Sequence, residues 1–227
     1  DLPHWTLSPP GAILRSGRRC IMTTRLSRLS WGLVALLSLG VAGYAYHYLL
    51  PHAVAPPGIA ENPMAYPWLF VHAGLAATAL LLGPTQFLPG LRLARPRLHR
   101  WMGHTYIFAC LTGGSAGLAL AMGSTAGPIA RAGFAALAVT WMAATTMAWR
   151  MALHRRFDDH RRWMIRSFAL TFAAVTLRLY MPIAPLLGLP FIDGYRAIAW
   201  LCWVPNLIAA EIYLARGRAR IAQPARA

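Results

Sequence analysis

Lysine is absent from this 227-residue chain, and six acidic residues stand against 22 basic ones, so apart from histidine every positive side chain is an arginine. Charged residues make up only 12% of the sequence, about half the share usual in soluble domains, which excludes an ordinary water-soluble fold. The three cysteines, Cys20, Cys110 and Cys202, form no C-x-x-C pair, so neither a disulfide framework nor a structural zinc site is implied. Also missing are G-x-S-x-G, H-E-x-x-H and any glycine-rich phosphate loop, and no catalytic residue is assigned. A formal charge of +16 would normally raise nucleic acid as a partner. Here the arginines fall in short clusters between long apolar segments, which is the membrane pattern, and no nucleic-acid partner is expected.

What the chain has in abundance is apolar length: 57% of its residues are hydrophobic. A hydrocarbon core of about 30 Å takes about 20 helical residues. Six stretches meet that length, at residues 29–50, 68–88, 101–123, 128–150, 163–187 and 195–214. Backbone groups cannot go unpaired in lipid, so these runs are helices, and the fold expected is an all-α polytopic bundle. The arginines set its orientation. Arg25 and Arg28, then Arg92, Arg95, Arg97 and Arg100, then Arg150, Arg155, Arg156, Arg161 and Arg162, then Arg216, Arg218, Arg220 and Arg226 occupy alternate connections and ends. The other connections hold only Arg131 and Arg196, so the positive-inside rule places both termini in the cytoplasm of a bacterial inner membrane. Residues 1–28 read as an amino-terminal extension, of which 1–21 are upstream sequence or poorly ordered. Residues 29–214 are the membrane domain and 215–227 a basic tail. Gly43-Tyr44-Ala45 has the form of a signal-peptidase site, but the apolar run continues through Leu50, and an uncleaved anchor is expected.

Within the spans, small residues recur every fourth position at Ala109, Gly113, Gly117 and Ala121, a packing face for a neighbouring helix. Arg166 and Glu211 each lie one turn inside the cytoplasmic end of a span. An ion pair linking the two helices and separate snorkelling to water are the two readings. Arg178 lies about 18 Å further along the helix than Arg166. Pro182 and Pro185 free carbonyls beside it, and Pro205 does the same next to Asn206 in the last span. Such an arginine either reaches the outer interface or holds an anionic or polar oxygen: a lipid phosphate, a propionate or a quinone.

Two motifs, LHRWMGHTY at 98–106 and DHRRWMIRS at 159–167, each open an apolar run. Arg100, Arg161 and Arg162 suit anionic lipid headgroups, and Trp101 and Trp163 suit the interfacial level. Asp158-Asp159 moderates the second positive loop. The histidines remain. His47, His52 and His72 fall toward the outer face, and His99, His104, His154 and His160 toward the cytoplasmic one. Histidines in two layers of a helical bundle point to b-type haem held by paired imidazoles. The outer pair would be His47 and His72, with Arg178 for a propionate. The inner pair would be His104 or His99 with His160. A metal site from His99, His104 and His160 is a further option, weakened because residues five apart do not share a helix face.

The segments LHRWMGHTYIFACLTGGSAGLALA, DDHRRWMIRSFALTFAAVTLRLYMP and AWLCWVPNLIAAEIYL resemble a bacterial family of multi-pass membrane proteins, domain of unknown function 2306, over residues 68–214. The resemblance implies a helical integral membrane protein and brings no activity or cofactor with it. It marks His99, Arg100, His160, Arg161, Arg166, Arg178, Asn206 and Glu211 as the positions of interest. The layout is loosely similar to two-haem cytochromes b in architecture alone. The concrete chemistry expected is haem-linked electron transfer. The alternatives are a small-molecule or ion transporter and a non-catalytic subunit of a membrane complex.

Overall fold

A computed structural model describes the backbone of residues 11–50, 59 and 61–222, with side chains from residue 29 to 217. Residues 1–10 of the amino-terminal extension, His4, His52 and residues 223–227 of the basic tail, Arg226 among them, lie outside the described residues. The described part is helical, with no strand. In chain order the helices are α1 (Gly11–Tyr46), α2 (Ala65–Thr85), α3 (Pro89–Ala94), α4 (Pro96–Met122), α5 (Pro128–Leu153), α6 (Phe157–Thr171), α7 (Ala173–Tyr180), α8 (Ile183–Leu186), α9 (Phe191–Leu201) and α10 (Val204–Ala222). A single 3-10 turn, His47–Leu49, follows α1. Among the described residues, six stretches are long and apolar enough to cross a membrane: Leu29–Leu49, Ala65–Thr85, Pro96–Met122, Pro128–Leu153, Phe157–Leu186 and Phe191–Gly217.

Two compact units divide between Leu37 and Ser38. The first contributes the helical residues 11–37, and the packing that follows belongs to the second. There α2 packs on α4, α4 on α5, and α5 on α6. The small residues of α4 set the first contact. A Cβ added at Gly113 would meet Leu75 Cβ at 3.1 Å, and one at Gly117 would meet the His72 ring at 2.8 Å. Ala109 and Ala121 complete the stripe and are buried.

Both entry motifs lie inside helices, in the first turns of α4 and α6. Proline at the start of α4 and of α5 suits the first turn, where its missing N–H is not needed. The link from α5 to α6 is three residues long. Arg155 adopts φ 57° there, and the Arg156 N–H reaches back to the Met151 carbonyl at 2.9 Å, a Schellman-type stop in which arginine occupies the position glycine usually takes. The fifth span is broken twice, near Phe172 and at Pro182, and the sixth once, at Cys202–Trp203 just before Pro205. The proline breaks follow from the lost N–H. At Phe172 no proline is present. Thr171 instead donates to the Ser167 carbonyl one turn back at 2.9 Å, a bond of the kind that bends helices.

Candidate functional site

Broken helices matter in a membrane because each break leaves a carbonyl to be satisfied by something other than water. The break in the sixth span exposes the Cys202 carbonyl, which accepts from Asn206 Nδ2 at 3.0 Å and from the Thr176 hydroxyl. Asn206 also reaches Thr176 Oγ1 at 3.1 Å and the Ala169 carbonyl at 3.3 Å, tying α10 to the interrupted fifth span. Its role in the geometry is therefore a knot between two broken helices. Nearer the arginine-rich end, Arg166 and Glu211 are joined by two bonds, Nε to Oε1 at 2.5 Å and Nη2 to Oε2 at 2.9 Å. Arg166 also lies over the Trp163 ring, 4.7 Å from its centroid. Bidentate pairing of this kind fixes the helices' relative rotation as well as their contact.

A second polar assembly sits at mid-span. The Tyr106 hydroxyl of α4 lies 2.9 Å from both Ser167 Oγ and Thr171 Oγ1 of α6. Thr145 Oγ1 of α5 lies 2.7 Å from Ser167 Oγ, and Trp141 Nε1 donates to Thr171 Oγ1 at 2.9 Å. The Thr145 hydroxyl proton goes to the Trp141 carbonyl and that of Thr171 to the Ser167 carbonyl, so Thr171 Oγ1 is left as a double acceptor. All five side chains are buried, and each donor finds an acceptor without a carboxylate. No motif in the sequence marks these residues; the signal it carries is the one-turn pairs Trp141/Thr145 and Ser167/Thr171 at a common depth.

Above this cluster, toward the arginine-poor end of the bundle, lies a mostly apolar cavity of about 600 Å³. Trp141 and Thr171 line its floor, and Leu137, Leu170, Leu177 and Phe134 line its walls. Its polar lining includes Tyr44, Tyr48, His72, Tyr195 and Arg178. The Arg178 guanidinium donates from Nη1 to the Ala174 carbonyl of its own helix at 2.9 Å and lies 5.7 Å from the Tyr44 ring centroid. No carboxylate pairs with it among the described residues: the ion pairs there are Arg156–Asp159, Arg162–Asp159, Arg166–Glu211 and Arg196–Asp193. A guanidinium carries five N–H donors, and here one carbonyl accepts. His72 faces the same cavity within electrostatic range of Arg178. Its Nδ1 is 2.8 Å from the Gly113 carbonyl, so Nδ1 carries the proton and Nε2 is left for the cavity.

The remaining histidines are scattered. His47 is exposed, stacks beside Tyr44 at 6.1 Å between centroids, and is not among the residues lining the cavity that His72 faces. His47 therefore does not share the cavity that His72 faces. On α4, His104 is exposed while His99 is half-buried, as a spacing of five residues dictates. His99 Nδ1 is buried without a hydrogen-bond partner, and His99 is close enough to His160 to interact electrostatically. The His160 Nδ1 donates to the Ala148 carbonyl at 2.8 Å. His154 is exposed at the end of α5. Among the described residues no group of three His, Cys, Asp or Glu side chains could hold a metal ion, so the trio His99, His104 and His160 does not assemble.

The arginines of the entry motifs lie at the surface. Arg100 and Arg161 are exposed, and Arg162 lies 3.4 Å from Asp159, which also pairs with Arg156 at 2.6 Å. At the opposite end, Arg131 and Arg196 donate to the Ser124 and Ala126 carbonyls at 2.8 and 2.7 Å, holding the turn between α4 and α5. These two arginines, ordinary loop charges in the sequence, are structural clamps.

No curated protein and no solved structure matches the chain. The family described as predicted membrane protein DUF2306 matches residues 69–214, from α2 into α10 and including every residue of the hydroxyl cluster, Arg178, and the Arg166–Glu211 pair. With well over half its length matched, the chain belongs to the DUF2306 family of predicted membrane proteins.

Proposed function

We propose that the protein binds an amphipathic small molecule within the membrane, with Arg178 holding an anionic head and the apolar cavity holding the remainder. The observation that carries this reading is Arg178 itself. A charged residue inside a span costs about 2.5–3.5 kcal/mol to insert and usually marks a partner or a pathway. Here the guanidinium lines a cavity of about 600 Å³, has no carboxylate partner among the described residues, and keeps donors to spare. That volume falls within the range typical of small-molecule sites. The arginine distribution supports placement in a bacterial inner membrane with cytoplasmic termini. The exposed Arg92, Arg95, Arg97 and Arg100 support contact with anionic headgroups on that side. The test is to purify the protein in mild detergent, extract it with organic solvent and identify what is released by mass spectrometry. The wild type should release a near-stoichiometric amphiphile and Arg178→Gln should release little. Equal release from both, or none from either, overturns the reading.

A second reading keeps one b-type haem at the arginine-rich end, between His99 and His160. It is favoured by the unpartnered His99 Nδ1 and by the Nδ1 bond of His160, which leaves Nε2 for an iron. A reduced-minus-oxidised absorption spectrum after haem-supplemented expression decides it, and a colourless protein removes it.

A further inference from the structure

We infer that the cavity is loaded sideways from the bilayer through a gap beside Gly40, and that its occupant is a single-chain amphiphile with a carboxylate head, such as a medium-chain fatty acid. This rests on the reading of Arg178 given above and specifies both the ligand class and its route.

The route is read from the wall. Gly40, Val41, Tyr44 and Tyr48 all line the cavity, one face of the last turns of α1 and the turn after it. Tyr48 is buried, but Gly40 is exposed and Tyr44 is 55% exposed. Residues that both line a cavity and lie at the surface mark where its wall opens. At Gly40 that wall has no side chain, and a Cβ built there meets nothing within 4 Å. Gly40 lies near the middle of the Leu29–Leu49 span, so the gap faces hydrocarbon and not water. Tyr44 forms the sill, its ring beside Arg178 and its hydroxyl 3.1 Å from that of Tyr48. A molecule arriving this way must already be dissolved in the bilayer.

The class is read from the interior. From Thr171 on the floor to Arg178 near the mouth is seven residues of α6 and α7, roughly 10 Å of helix rise. A chain can lie along that length with its head at Arg178 and its tail toward Trp141. The volume suits one chain of a small molecule and not a two-chain phospholipid. A planar guanidinium matches a carboxylate in charge and fork geometry, and among the described residues the lining holds this one guanidinium and no second to meet a doubly charged head.

The test uses a fatty acid brominated at mid-chain, which quenches tryptophan on contact. Trp141 is only 5% exposed and lines the cavity floor, so it gives a saturable component distinct from the lipid-exposed tryptophans. Wild type in nanodiscs should show that component, and Trp141→Phe should lack it. Arg178→Gln should weaken binding by roughly tenfold or more. Gly40→Phe should slow both association and dissociation by roughly tenfold, because a plugged gap raises the barrier in both directions. Gly43→Phe is the folding control: it is an exposed glycine on the same helix, outside the cavity lining, with equally open space around it. Unchanged kinetics in Gly40→Phe overturn the side route while leaving the Arg178 site standing. No saturable quenching in the wild type overturns the fatty-acid class, and the solvent-extraction result then judges the Arg178 site separately.

Discussion

Thr171→Val should destabilise the protein more than Tyr106→Phe, although tyrosine is the larger residue and the centre of the hydroxyl cluster. Tyr106→Phe removes one donor. Trp141 Nε1 still donates to Thr171, Thr145 still donates to the Trp141 carbonyl, and Ser167 still has Thr145 as a partner. Nothing is left unpaired, and the cost is that of a hydrogen bond between membrane helices, about 0.6–1.7 kcal/mol. Thr171→Val removes the double acceptor. Tyr106 can turn wholly to Ser167, but Trp141 Nε1 has no other acceptor. A buried unsatisfied donor adds about 1–3 kcal/mol, so the total reaches roughly 2–4 kcal/mol. Thermal unfolding of the purified protein in one mild detergent reads the order directly. Trp141→Phe placed on Thr171→Val should recover part of the loss, since the orphaned N–H is then gone. If Tyr106→Phe proves equal to or worse than Thr171→Val, the proton assignment within the cluster is wrong.

Other consequences follow from the same geometry. Glu211→Gln should lower stability by about 1 kcal/mol, the upper end for an ion pair whose acidic side chain is 45% exposed. Arg166→Gln added to it should cost little more, as a detergent melting series would show. Gly117→Ala should cost roughly 1–3 kcal/mol by driving a methyl group toward the His72 ring, whose nitrogen would lie 2.8 Å away. The displaced His72 imidazole would be visible as a changed histidine resonance. Arg155→Gly should raise the melting temperature, because glycine adopts φ 57° without the penalty, about 1 kcal/mol, that arginine incurs there. A lower melting temperature would mean that the Arg155 side chain contributes more than its backbone costs.

Much of this architecture is legible in the sequence because lipid imposes a coarse rule: a run of about 20 apolar residues must be a helix. All six spans appear where those runs are, with ends shifted by a few residues. One example is α4, which starts at Pro96 so that the HRW motif lies inside the helix. Depth is also legible, which is why Arg166 and Glu211 could be placed at one level. Rotation is not. His47 and His72 are both expected toward the outer face, yet His47 falls in a 3-10 turn and is exposed. The cavity itself is a volume between helices, and no residue type announces it. The Phe172 break carries no proline. The hydroxyl cluster draws on three spans whose members are individually unremarkable, and only their common depth connects them.

The proposed role of Arg178 is to anchor an amphiphile in the cavity beneath it. The most direct test is an experimental structure of the protein in lipid nanodiscs, at a resolution that shows side chains. Continuous density should run from the Arg178 guanidinium past His72 toward Trp141 and be absent in Arg178→Gln. A cavity holding only water, with Arg178 turned out to the membrane surface, would contradict it.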